Sequence, residues 1–135
     1  GITVKYDATL TGSAFGFATD KGESIVIDDT YSTGRRAKTL CHELAHCALH
    51  FGKTDASTAL TRNMAELEAE SIAYVVCRHF ELDTTVRSSA YIARWQGDAK
   101  ALRAILERIA STARTIIDDV ESLQDAVVEA ERMVA

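Results

Sequence analysis

Hydrophobic and polar residues alternate in the first quarter of the chain, and this pattern predicts β-strands. Residues 2–6 alternate between apolar and polar side chains, and two further stretches, 14–19 and 24–28, flank a Gly-containing turn at 20–23. Two such stretches joined by a short turn are typical of a β-hairpin. The first quarter is therefore predicted to form a small antiparallel hairpin or sheet, in which 24–28 is the strongest strand.

The rest of the chain has the longer apolar period of helices, and no proline interrupts it. Gly52 and Gly97 mark helix ends, and Asp98 is placed to cap the last helix. Four helices are predicted, at about 32–51, 57–81, 88–95 and 99–133. The predicted fold class is α+β, with the β-hairpin packed on the first helix and three more helices after it.

Composition narrows the class of protein without identifying it. The chain has 135 residues, of which 47% are hydrophobic and 26% charged, so we predict one globular domain, 1–135. The formal net charge of −5 argues against nucleic-acid binding by this domain. No apolar run is long enough to span a bilayer, and no signal-peptide pattern is present. We therefore predict a cytoplasmic protein without a membrane role. The first residue is Gly, which we interpret as excision from a longer protein whose preceding domain is a candidate for nucleic-acid binding.

The run His-Glu-Leu-Ala-His at 42–46 carries the strongest chemical signal. Two helical residues four apart differ by only about 40° in rotation, so His42 and His46 project side by side and can bind one Zn²⁺. Glu43 points beside the metal, where it can act as the general base that activates water. An apolar seam on the opposite face allows the helix to bury one side: Leu40, Leu44, Cys47 and Phe51.

A catalytic zinc site needs a third protein ligand and one open position for water. The second predicted helix offers Glu66 and Glu70, which share one face with Ala73 and Cys77, whereas Glu68 points to nearly the opposite side and is predicted to be solvated. We assign Glu66 to the metal and Glu70 to a supporting contact with a ligand imidazole. The reverse assignment of these two carboxylates stays open.

These residues resemble a known class of enzymes. His42-Glu43-x-x-His46, followed by Glu66 and Glu70, resembles the zincin pattern of gluzincins, and 65–73 resembles a segment of ImmA/IrrE-type metallopeptidases. The stretch 41–95 is similar to the metallopeptidase domain of ArdC-like antirestriction proteins. The similarity covers rather less than half of the chain.

The resemblance implies a small zincin in which an edge strand beside the metal binds the substrate peptide by strand addition. Ile25, Val26 and Ile27 form the strand just before the metal helix and are the candidate for this role. An interior position of this strand in the core is the alternative.

The last predicted helix carries a heptad-like apolar seam and would extend roughly 50 Å. Two interpretations are open: its first half packs on the core, and its second half, from about Ile116, pairs with another chain or with an absent domain. The seam consists of Leu102, Leu106, Ile109, Ala113, Ile116, Val120, Leu123 and Val127.

The predicted function is a zinc metallopeptidase that hydrolyses peptide bonds in a specific intracellular protein. The alternative is an antirestriction or regulatory binding module in which zinc is structural. Glu43 favours catalysis, because a structural zinc site needs no general base and is usually closed by a fourth protein ligand. For the group that stabilises the oxyanion, Tyr31, His50, Arg62 and Tyr91 are candidates, and none is assigned.

Overall fold

The computed structural model describes residues 1–10, 15–19, 21–51, 62–82 and 99–134. Three strands come first along the chain, followed by three helices, the last of them long; this confirms the predicted α+β class. The short helix predicted at 88–95 lies outside the described residues. The elements are β1 Thr3–Asp7, β2 Gly16–Ala18, β3 Ser24–Asp28, α1 Thr33–Leu49, α2 Arg62–His79 and α3 Ala99–Val134.

The three strands form one sheet in the order β1-β3-β2. The predicted hairpin is confirmed, since β2 and β3 are antiparallel and Gly16 lies opposite Ile27. In the turn between them, Gly22 has a φ of 67°, a left-handed conformation that glycine adopts without a steric cost. The first strand, β1, pairs parallel to β3 along its whole length, so the sheet is mixed.

The strand formed by Ile25, Val26 and Ile27 lies in the middle of the sheet, and its assignment as a substrate-binding edge was wrong. Its backbone pairs with β1 on one side and with β2 on the other, so it has no open edge for an added peptide. Ile25 and Ile27 are fully buried, as their spacing of two residues on one face requires. The apolar character that made this strand conspicuous comes from its interior position.

Helix α1 packs against the sheet on one side and against α2 and α3 on the other. Small side chains permit these close approaches, because Gly16 faces the Thr39 methyl group and Ala45, Ala69 and Ala73 are fully buried. The sheet therefore supports the back of the helix that carries the histidines. The main core lies among the three helices and consists of Ala45, Ala69, Ile72, Val76, Ile105, Ile109, Ala113 and Ile116.

Helix α3 contains 36 residues, or about 54 Å at 1.5 Å per residue. Its first half packs on the core, as predicted, and Ile109, Ala113 and Ile116 of the predicted seam are buried. The seam is wrong at Leu106, which is 52% exposed, while its neighbour Ile105 is buried. Beyond residue 120, every described side chain of the helix is exposed, including Leu123 at 67%. Among the described residues, no helix is both long enough and apolar enough to cross a lipid bilayer.

Candidate metal centre

His42 and His46 lie on adjacent turns of α1, and their side chains meet at the surface of α2. The two Nε2 atoms are 3.1 Å apart, and both rings are largely buried. The helix begins at Thr33, after Ser32 as its N-cap, so both histidines lie well inside a regular helix. The regular backbone places them side by side, as their spacing predicts.

Glu66 reaches the same point from α2. Its Oε2 atom lies 3.4 Å from Nε2 of His42 and 3.7 Å from Nε2 of His46. In a tetrahedral zinc site with ligand bonds of about 2.0–2.1 Å, two ligand atoms are separated by about 3.3–3.4 Å. The three separations of 3.1, 3.4 and 3.7 Å are close to this value, so the three ligand atoms have the spacing that a zinc site requires.

Glu70 approaches His42 from the opposite side of the imidazole ring. Its Oε2 atom is 3.5 Å from Nδ1 of His42, and its Oε1 atom accepts a hydrogen bond of 2.5 Å from Nζ of Lys38. The contacts with His42 and Lys38 outweigh burial and lower the pKa of Glu70 to about 2. Glu70 therefore contacts the ring nitrogen that faces away from Glu66, which is the position of a supporting carboxylate.

The electrostatics of the centre favour a neutral His46 and an added cation. Burial, together with the neighbouring His42 and His50, lowers the pKa of His46 to about 4, so the imidazole is neutral near pH 7 and can bind a metal. Burial also disfavours the charged form of His42, but the carboxylates of Glu70, Glu43 and Glu66 outweigh it and raise its pKa. This surplus of negative charge around two imidazoles is an environment that a divalent cation would neutralise.

Glu43 lies beside the two histidines and next to the sheet. The backbone N–H of Ala18 in β2 faces its carboxylate and favours the charged form. Burial raises the pKa of Glu43, although His42 and the Ala18 N–H act in the opposite direction. A carboxylate with a raised pKa is a better proton acceptor in a reaction near neutral pH. The residue predicted to activate water therefore has a suitable environment and lies directly beside strand β2.

Sequence reasoning missed a second set of polar residues behind His46. Nδ1 of His46 is 2.9 Å from Nδ1 of His50, and Nε2 of His50 is 3.1 Å from Oε2 of Glu68. The predicted solvation of Glu68 was wrong, because this residue is fully buried and its carboxylate pairs with Arg108 of α3. Burial alone would raise the pKa of Glu68, but hydrogen bonds from His50 and Arg108 lower it. The four-residue spacing of His46 and His50 was the signal available in the sequence.

Four residues were candidates for the oxyanion-stabilising role, and three of them lie in the described part of the chain. Tyr31 packs edge-on against Phe15, with the Arg35 guanidinium 5.1 Å from its ring centroid. Arg62 is exposed at the first residue of α2, and Tyr91 lies outside the described residues. His50 is already engaged by His46 and Glu68. Among the described residues, neither Tyr31 nor Arg62 makes a hydrogen bond to His42, His46, Glu43 or Glu66, so no oxyanion-stabilising group is assigned.

A helix that carries two histidines and a glutamate, packed on a small sheet, defines a zincin-like domain of the ImmA/IrrE type. Residues 1–78 match the peptidase family described as the IrrE N-terminal-like domain, and the chain belongs to this family. The resemblance to ImmA/IrrE-type proteins is thereby confirmed, while the one to ArdC-like proteins stays a prediction. Family membership supports zinc-dependent peptidase chemistry in general terms, and the family also includes non-catalytic members.

An uncharacterized protein of Bacillus anthracis is 28% identical to this chain over 131 residues. The aligned region is 92% of this chain but 22% of that protein, so the chain spans less than a quarter of the relative's length. No solved structure matches the chain at a significant level. The similarity to the longer protein includes α3, which lies beyond the residues matched by the family.

Proposed function

We propose that this domain is a zinc-dependent metallopeptidase that hydrolyses a peptide bond in a specific protein target. His42, His46 and Glu66 are the proposed zinc ligands, and Glu43 is the proposed general base. The observation that carries the proposal is the convergence of three ligand atoms from two helices at separations that fit tetrahedral zinc. Among the described residues this cluster has three members, which is the ligand number of a catalytic site with one open position.

The side chains divide the chemistry between them. When bound, zinc polarises the substrate carbonyl and makes water more acidic. Glu43 accepts the proton of the attacking water and returns it to the leaving amine, as a general base that becomes a general acid. His46 is neutral and so presents a lone pair, while Glu70 holds the far nitrogen of His42.

The outer edge of β2 is the proposed binding site for the substrate backbone, in place of the central strand β3. The carbonyl of Phe15 and the N–H of Thr19 bond to β3, so the alternation of an antiparallel strand turns the backbone groups of Gly16 and Ala18 outward. The backbone N–H of Ala18 faces Glu43, which supports this placement. A peptide added along this edge would pass directly beside the general base.

The Glu43→Gln variant tests the catalytic role. We expect it to bind zinc as the wild type does and to lose hydrolysis by about 10²–10⁴-fold, because only proton transfer is removed. The assay is incubation with a proteome-derived peptide library, followed by mass-spectrometric detection of new termini. Glu23→Gln, at an exposed position, is the control and should cleave normally.

Two results would reject the proposal: purified wild-type protein without stoichiometric zinc, or undiminished cleavage by Glu43→Gln. A binding module that uses zinc structurally gives a different pattern. It would keep its biological activity in Glu43→Gln and lose that activity in His42→Ala, because only the second change removes a ligand.

A further inference from the structure

A continuous line of hydrogen-bonded side chains runs from the metal centre through the core to the last helix. It begins at His46, passes to His50 one turn later on α1, continues to Glu68 on α2, and ends at Arg108 on α3. Glu68, in the middle of the line, is fully buried. The donor and acceptor atoms of successive residues are 2.9–3.1 Å apart, and Arg108 makes a second, shorter contact with Glu68.

The charge at the far end of this line determines where each proton lies. Arg108 is permanently charged and donates from both Nε and Nη2 to Oε1 of Glu68, so Glu68 is an ionised acceptor. Oε2 of Glu68 then requires a proton on Nε2 of His50. An imidazole that carries its single proton on Nε2 offers a lone pair at Nδ1.

The consequence reaches His46. Because Nδ1 of His50 is an acceptor, Nδ1 of His46 must be the donor across the 2.9 Å contact. The proton of neutral His46 is then on Nδ1, and its Nε2 lone pair points toward His42 and Glu66. This is the tautomer that binds a metal through Nε2.

We propose that His50, Glu68 and Arg108 are positioning residues that hold His46 in its metal-binding tautomer and ring orientation. The inference rests on the proposed function and extends it, because it makes α3 part of the metal centre although the family match ends at residue 78. Each ligand imidazole then has its own supporting carboxylate. Glu70 serves His42 directly, and Glu68 serves His46 through His50.

Zinc affinity, measured by competition with a chromophoric chelator, is the first test. We expect Arg108→Ala and Glu68→Gln each to weaken zinc binding about 10–100-fold, the usual effect of removing a residue that supports a ligand. Arg108→Lys restores one charge without the two-pronged donor and should recover part of the loss. The control, Arg114→Ala, removes the same charge from an exposed position of α3 and should bind zinc within about twofold of the wild type.

A second variant, Ile109→Ala, distinguishes the positioning role of Arg108 from a purely structural one. This change loosens the packing of α3 at a buried position without touching the line of hydrogen bonds. If Ile109→Ala and Arg108→Ala lower the thermal midpoint equally and also weaken zinc binding equally, the inference is overturned. A larger loss of affinity in Arg108→Ala supports it.

The tautomers are measured directly by ¹⁵N NMR of histidine-labelled protein, which contains only four histidines. The expected signature is a proton on Nε2 of His50 and on Nδ1 of His46, with the His50 signal altered in Glu68→Gln. A His50 protonated on Nδ1 overturns the inference. The same spectra can be recorded without zinc, so they test the positioning residues even if the wild type binds no metal and the proposed function fails.

Discussion

The two carboxylates of α2 next to the histidines make different contacts, and their substitution should separate a ligand from its support. Oε2 of Glu66 lies within 3.7 Å of Nε2 in both His42 and His46. Oε2 of Glu70 lies 3.5 Å from the opposite ring nitrogen of His42. We therefore expect Glu66→Gln to remove a ligand and Glu70→Gln to remove only a supporting contact.

The expected magnitudes follow from these positions. Loss of a supporting carboxylate typically weakens metal binding 10–100-fold, and loss of the ligand itself should exceed about 100-fold. At free zinc 100 times the wild-type Kd, binding stabilises the native state by about 2.7 kcal/mol. For Glu70→Gln this falls to about 0.4–1.4 kcal/mol, and for Glu66→Gln to below about 0.4 kcal/mol.

Differential scanning calorimetry with and without zinc gives the corresponding shifts in Tm. For a chain of this length about 3–5 °C accompanies each kcal/mol, so the wild type should gain about 10 °C and Glu66→Gln about 2 °C or less. Glu107→Gln, exposed on α3, is the control and should respond as the wild type. A larger loss of the zinc-dependent shift in Glu70→Gln than in Glu66→Gln would contradict the assignment of ligand and support, and so would a response of both variants equal to that of the control.

Three further predictions concern the fold. Ile116 is 7% exposed, so Ile116→Ala should lower the free energy of unfolding in urea by about 2–5 kcal/mol. Leu123 is 67% exposed, so Leu123→Ala should lower it by less than about 0.5 kcal/mol. Equal losses would contradict the burial of the first half of α3 and the exposure of its second half. Gly16→Ala should cost about 1–3 kcal/mol in thermal unfolding, since its new methyl group would lie 2.8 Å from that of Thr39; an unchanged Tm would contradict this close packing. In the metal-free protein, folding lowers the pKa of Glu70 from 4.5 to about 2. This shift contributes at most about 3 kcal/mol to the free energy of unfolding above pH 4.5, and the contribution is lost as the pH falls toward 2. Glu70→Gln should therefore be less stable than the wild type at pH 6 by urea unfolding, and this gap should narrow at pH 3; a constant gap would contradict the assigned pKa.

Local spacing was sufficient to predict which residues share a helix face. The side-by-side arrangement of His42 and His46 follows from helical geometry alone, and the hairpin follows from two strands joined by a Gly-containing turn. The position of Glu70 relative to Glu66 also follows, because one helical turn brings the two carboxylates to the same side of α2. These features depend on contacts within one element or between neighbours in sequence.

The errors arose where a distant segment covers a face. Glu68 was predicted to be solvated because it points away from the helix face that carries Glu66 and Glu70, yet that side is covered by its partner, Arg108, 40 residues away. An isolated buried carboxylate is costly, and the contacts with His50 of α1 and Arg108 of α3 make this one tolerable. The central position of β3 likewise depends on β1, and no local sequence pattern predicts that β1 pairs parallel to β3. On α3, packing against the side chains of α1 and α2 determines which face is buried, and Leu106 faces outward despite its place in the apolar seam.

The division of the three proposed ligand atoms between two helices has a kinetic consequence. His42 and His46 stay together whenever α1 is helical, but Glu66 joins them only while α2 is docked. A bound ion that must shed Glu66 before leaving cannot dissociate faster than this carboxylate withdraws. Metal exchange should therefore be slow in the native domain and should accelerate under any condition that opens the gap between α1 and α2, well before the chain unfolds as a whole.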